Sequence, residues 1–236
     1  MRALVIGCAL AWTSAGCGSH ASRKAPATEA GEGQVMISND AASADPTGAC
    51  ASARPALRTT LSEHPVDSFA IGAGRQALAA LGVTADELLA VGRDAGCPNA
   101  LRFAAFEGWV GVAGEAALGQ VDDATAAAMA EVQAEAIRRA DDASAWSLPP
   151  DVTSSVLSRH LVVLGRRALP ALRPLLDDLR PLPIAGSETS AIAARRKYRI
   201  ADLATGLIAV IAGVPFQDGA TPADRDPQRA ALRQAP

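Results

Sequence analysis

Leu161-Val-Val-Leu164-Gly165-Arg-Arg-Ala-Leu-Pro170-Ala-Leu-Arg-Pro-Leu175-Leu176-Asp177-Asp178 is the stretch that decides the fold class of this chain. Together with Val156 and Leu157 just ahead of it, Leu161 and Leu164 place an apolar stripe on one face of a helix, and Gly165 closes that helix. A second helix opens at Leu169, where Pro170 is tolerable near a helix start, and Pro174 introduces local strain. Beyond it, Ile200, Leu203, Leu207 and Ile211 repeat at i, i+3, i+7 and i+11, with Gly213 and Pro215 as the stop. Between these two blocks, Pro181, Pro183 and Gly186 predict a long loop over about residues 179–197.

Working toward the N-terminus, the same period returns. A helix is expected from Asp67 or Ser68 to Leu81, stopped at Gly82. Thr84 and Glu87 form a capping box for the next, each side chain satisfying an orphan backbone N–H of the other residue. Pro98 suits the first turn of a helix carrying Leu101, Phe103, Phe106, Trp109 and Val110. Asp122 or Asp123 caps one whose face holds Met129, Val132, Ala136 and Ile137, and residues 146–150 form a break. Thr221-Pro222 and Asp226-Pro227 signal a short terminal helix. Aromatic residues are only 3% of the chain and alanine dominates, which favours helix over sheet. The expected class is all-α.

The segment from Leu161 to Asp178, continued by Tyr198-Arg199-Ile200-Ala201-Asp202-Leu203-Ala204, resembles a HEAT-type helical repeat. The similar pattern is a helix ending in Leu-Gly, a second with Ala-x-Pro-x-Leu and Leu-Leu-x-Asp, and a third opening Arg-x-x-Asp-x-Ala. The resemblance covers about 60 residues, and the long loop departs from a compact repeat. Leu78-Ala-Ala-Leu81-Gly82, followed by Asp94, echoes the spacing of Leu161 through Gly165 and Asp177. Such units bury a core only by stacking, so the resemblance implies irregular helical hairpins arranged as a short solenoid or bundle.

The N-terminus speaks to location. Arg2 precedes an apolar run from Ala3 to Trp12, and small residues lead to Cys17. This is a secretion signal, and Ala15-Gly16-Cys17 resembles the lipobox of bacterial lipoproteins, with Ser14 standing where that family usually has Leu. The resemblance implies lipid attachment (a palmitate-type acyl group among the chains) at Cys17, and anchoring at the outer membrane, because Gly18 is not the Asp of an inner-membrane retention signal. Two or more buried chains give stable attachment where one does not. The alternative is ordinary signal cleavage and a soluble exported product. The apolar run is about half the roughly 20 residues that a membrane span needs. The expected organisation is therefore a signal peptide over 1–16, a flexible tether over 17–50, rich in Ala, Ser, Gly and Thr, and an all-helical domain over 51–236.

Cys50 and Cys97 remain once Cys8 and Cys17 are set aside, and an oxidising envelope makes a bridge between them possible, subject to their Cα separation. Gly72-Ala73-Gly74-Arg75-Gln76-Ala77 has the shape of a dinucleotide-binding turn, but Asp67 to Ile71 is a poor strand and no parallel sheet follows; helix-turn glycines account for it better. The three histidines, His20, His64 and His160, show no ligand spacing, so no metal site or cofactor is expected, and His160 reads as a packed or half-exposed helix residue. No nucleophile motif is present, and no catalytic residue is assigned. A net charge of −3 with scattered basic residues gives no electrostatic case for nucleic acid. The exception to the scatter is Arg195-Arg196-Lys197-Tyr198-Arg199, a basic cluster beside an aromatic, which reads either as a solvated loop with Tyr198 packed as a helix-start staple or as a grip for a carboxylate or phosphate.

Two functions stay open. One is a membrane-anchored, non-enzymatic scaffold that presents a helical surface to a protein partner. The other is an envelope enzyme or small-ligand-binding protein using the loop at 179–197. A cleft beneath that loop favours the second reading, and a flat or concave helical face the first.

Overall fold

Helices carry the chain from residue 49 onward. A computed structural model describes residues 48–234. The expected signal peptide, Cys17 and almost all of the expected tether lie outside the described residues. The α-helices are α1 (Ala49–Ser52), α2 (Pro55–Glu63), α3 (Ser68–Ile71), α4 (Ala73–Ala80), α5 (Ala85–Arg93), α6 (Asn99–Ala113), α7 (Asp123–Arg139), α8 (Val156–Leu164), α9 (Leu169–Leu172), α10 (Ser187–Arg196), α11 (Ile200–Ala212) and α12 (Pro222–Gln234). Short 3-10 turns fill several joints, at Glu115–Gly119, Ser144–Trp146, Val152–Ser154, Gly165–Ala168 and Arg173–Asp177. No strand forms among the described residues; a single antiparallel bridge joins Pro181 to Arg199. The fold is all-α.

Local chemistry explains most boundaries. Thr84 accepts from the Glu87 N–H while the Glu87 carboxylate accepts from the Thr84 N–H, so α5 opens with a full capping box. Asp122 accepts from the Thr125 N–H at 2.7 Å and caps α7. Gly213 takes a left-handed φ of 71° and ends α11. Two expectations change. The helix over 68–81 breaks at Gly72, because the α3 end there is bonded back to Ser68 and the chain restarts as α4. The loop over 179–197 is not a loop throughout: its second half is α10. Ala191, Ala193 and Ala194 are strong helix formers, Glu188 sits in the first turn, and Arg195 and Arg196 occupy the last turn, where the helix dipole favours cations.

Two helices are buried on every side and organise the core. In α6, each residue from Arg102 to Gly111 is buried, and α2, α3, α4, α5 and α7 pack around it. In α11, Ile200 through Ala209 are all buried, covered by α8, α12 and the turn at Arg173–Asp177. α7 contacts both α6 and α8, and one continuous apolar cluster runs through the fold. Phe103 stacks on the buried Trp146, linking α6 to the segment ahead of α8.

Close approach onto α6 depends on glycine at two places. A Cβ at Gly92 would stand 2.6 Å from the Phe106 ring, and one at Gly108 would stand 2.7 Å from Leu78 Cδ1. Phe106 is fully buried and cannot swing aside. Gly92→Ala is therefore expected to destabilise by about 1–3 kcal/mol through overpacking, despite the ~1 kcal/mol by which Ala is the better helix former. Urea unfolding checks this, and an unchanged or raised midpoint would refute the clash.

Candidate functional site

The predicted basic segment borders a concavity of the fold. Residues 181–184 run as a strap beside the turn that follows α10. The Leu182 N–H donates to the Tyr198 carbonyl at 2.8 Å, and the Ile200 N–H to the Arg180 carbonyl at 3.1 Å. Lys197, in left-handed conformation with φ 52°, ends α10 and reverses the chain toward α11. Between strap and helix lies a cleft of about 710 Å³, walled mainly by Pro181, Leu182, Ile184, Ala191 and Ala194. Ser190, Ala193, Lys197, Tyr198, Arg199 and Pro222 complete it. Its lining is mostly apolar.

The five residues of the basic segment divide into different roles. Arg199 is held by Asp202 at 3.0 Å and Asp226 at 2.7 Å, which keep its guanidinium charged and fixed. Arg196 stands 3.8 Å from Asp218. Tyr198 is 3% exposed, donates to Asp218 Oδ1 at 2.6 Å, and lies under the Arg225 guanidinium, 4.7 Å from the ring centroid. Burial first, then the Asp218 carboxylate, pushes its phenol pKa well up, so it stays a neutral donor. Arg195 and Lys197 are exposed and have no ion-pair partner among the described residues. Arg195 and Arg196 do not line the cleft, so the expected five-residue grip becomes one free cation, Lys197, above an apolar wall. The physical reason is the helix: α10 turns Arg195 away and the acidic residues of α11 and α12 engage Arg199.

Beneath this site, Arg225 is completely buried. It donates to Asp202 Oδ2 at 3.1 Å and to the carbonyls of Gly219, Arg196 and Lys197, fastening α12 to the end of α10 and the start of α11. Burial alone raises the Asp202 pKa, but the hydrogen bonds from Arg199 and Arg225 outweigh it and hold the carboxyl below its usual range.

Cys50 and Cys97 form a disulfide with a Cα separation of 5.4 Å, joining α1 to the segment that leads into α6. Gly72 and Gly74, the glycines of the nucleotide-like pattern, mark the α3–α4 break, and a Cβ at Gly74 would meet the Phe69 ring at 2.7 Å. His64 packs edge-on against Phe69.

Sequence spacing did not single out Glu107. It is 1% exposed on α6, accepts from Gln133 Nε2 of α7 at 2.9 Å, and meets His160 Nδ1 of α8 at 2.8 Å. Burial pulls the His160 pKa down, but the charge and hydrogen bond of Glu107, with help from Glu115, more than offset this, while Arg159 opposes. The net shift is upward. His160 also borders a second cleft, of about 310 Å³, between α4, the end of α6 and the start of α8.

No family model matches the chain, and neither a curated protein nor a solved structure matches it.

Proposed function

We propose that this chain is an exported envelope lipoprotein, anchored through lipid on Cys17, whose helical domain is a non-enzymatic binding module. Its ligand is a small amphipathic molecule with an apolar body and one anionic group. The cleft beside α10 carries this reading: at about 710 Å³ it falls in the roughly 300–1,000 Å³ range of small-molecule sites, it is mostly apolar, and its free cation is Lys197. Of the two readings left open by the sequence, a cleft beneath residues 179–197 favours a small ligand over a protein scaffold. The Pro181–Ile184 strap and the ion-paired Arg199 make the walls rigid before any ligand arrives, which lowers the ordering cost of binding.

Dodecanoate is a suitable probe, with dodecyltrimethylammonium as the opposite-charge control. The full chain is expected to bind the carboxylate more tightly than the ammonium. Ala194→Trp, which fills the cleft from an exposed helix position, is expected to abolish binding. Lys197→Glu is expected to weaken dodecanoate about tenfold by losing one charge-assisted contact. Equal binding of both probes, or binding untouched by Ala194→Trp, would overturn the reading. The anchor has its own check, since incorporation of labelled palmitate should vanish in Cys17→Ser.

A further inference from the structure

His160 combines three properties that a packed structural histidine does not need together. Its side chain is 2% exposed, its Nδ1 is occupied by a buried carboxylate, and it nevertheless borders a cleft. Glu107, already accepting from Gln133, holds the proton on Nδ1. The ring's remaining polar atom, Nε2, has no hydrogen-bond partner among the described residues, and the ring borders the cleft. With Nδ1 held by Glu107 and Nε2 unpaired but not enclosed, the ring is rigid on one nitrogen and open on the other, arranged for something that enters the cleft.

The surroundings select the sign of that ligand. Arg75 on α4 is exposed, lines the cleft and has no ion-pair partner among the described residues. Arg159, one residue before His160, also lines it and is only loosely paired to Glu115, at 3.6 Å. Val156, the first residue of α8, brings the positive end of a nine-residue helix to the same wall. The opposite wall, Val110 to Glu115, is the carbonyl end of α6 followed by the Glu115 carboxylate, both of which an anion avoids. The acceptable position is therefore on the α4 and α8 side.

We propose that this second cleft is a binding site for one small soluble oxyanion, a phosphate or a carboxylate, received by the Nε2–H of His160 between the guanidinium groups of Arg75 and Arg159. The site is separate from the α10 cleft and does not depend on the amphipathic ligand. Glu107 is a positioning residue: it fixes the ring and favours the imidazolium form, and it does not touch the anion.

Affinity follows the protonation of His160. The groups facing it are Glu107 from α6, Glu115 from the turn after α6, neutral Gln133 from α7, Arg159 on its own helix and Arg75 across the cleft. Arg167 is engaged by the carbonyls of Leu118 and Val121, Asp202 on α11 is engaged by Arg199 and Arg225, and the turns at 144–146 and 152–154 carry no charged residue. The Nε2–H donor is present below the raised pKa of His160 and lost as pH rises through it, so the anion binds better in acid.

The experiment is NMR of the His160 imidazole in the full chain, titrated with inorganic phosphate and separately with acetate, at about pH 6 and about pH 9. Either ion is expected to shift the ring nitrogens at the lower pH and to bind at least tenfold more weakly at the higher. Arg75→Ala, an exposed change that leaves the core intact, is expected to weaken binding about tenfold. His160→Gln should remove the pH dependence. Neither ion shifting the ring up to about 20 mM, well above the ~1 mM expected of a weak site, would overturn the proposal and leave a structural polar network. A shift produced by anionic phospholipid vesicles but by neither free ion would overturn it too. So would phosphate binding indifferent to Arg75→Ala.

Discussion

Arg225→Met is expected to destabilise the protein by about 3–5 kcal/mol, the range for breaking a buried ion pair from one side. Met keeps much of the side-chain volume, so the loss is electrostatic rather than a cavity. Asp202, fully buried, would lose one of its two guanidinium partners, and the carbonyls of Arg196, Lys197 and Gly219 would lose their donor. Arg199 still reaches Asp202, which keeps the loss from growing larger. The damage is expected to centre on the C-terminal packing, because Arg225 joins α12 to α10 and α11, and Tyr198 loses the cation above its ring.

Two measurements separate this account from simple loss of packing. Adding Asp202→Leu to Arg225→Met should recover part of the stability, since removing both charges eliminates the buried carboxylate that the single change leaves with Arg199 as its one guanidinium partner. Acid should reveal the same carboxylate. The folded pKa of Asp202 is depressed, so its contribution is present above the ordinary carboxylate range and lost as pH falls through the folded value. In Arg225→Met that acid-labile contribution should shrink, giving a flatter stability curve below about pH 4. A double variant weaker than the single one, or an unchanged acid limb, would show that the ion pair is not what holds α12.

The parts of this fold that could be read from the chain are those whose chemistry is local. Thr84 and Glu87 are three residues apart, so their reciprocal capping is visible as spacing, and the structure forms it. The Ile200, Leu203, Leu207 stripe likewise needs only the helical period, although α11 turns out buried all round through Ala201, Ala204, Thr205 and Ala209, whose small side chains give no stripe. α10 gives no apolar stripe, because Ile192 is its one large apolar residue. Its evidence is alanine propensity and end charges, both weaker signals than Pro181, Pro183 and Gly186 just ahead. The basic cluster lies beside the α10 cleft, with Lys197, Tyr198 and Arg199 on its lining and Arg195 and Arg196 off it. Nothing local reveals that Asp226, 27 residues on, engages Arg199, or that Asp218 takes the Tyr198 hydroxyl. The Glu107–His160 contact spans 53 positions and three helices meet there, so no motif could contain it.

Removing the Cys50–Cys97 bridge through Cys50→Ala/Cys97→Ala is expected to cost about 4 kcal/mol by chain entropy for a closed loop of this length. The two positions are 47 residues apart, and the loop they close contains α2, α3, α4 and α5, four of the helices that pack on α6. Without the staple the denatured chain gains the freedom of that whole segment, whereas the folded chain loses only the small contact of α1 with α5. The Cys50 N–H also donates to Asp94, which accepts from Gly96, so the local turn survives the loss of sulfur and the native geometry need not change. The effect should therefore appear as a lower urea midpoint, by roughly 1–2 M at an m-value of ~2–3 kcal/mol/M, with little change in helical circular dichroism before unfolding. Wild-type protein treated with reductant should match the double variant. Should both keep the oxidised midpoint, the bridge would not constrain the unfolded chain as the loop argument requires, and α1 would be a frayed end whose attachment leaves the α6 core indifferent.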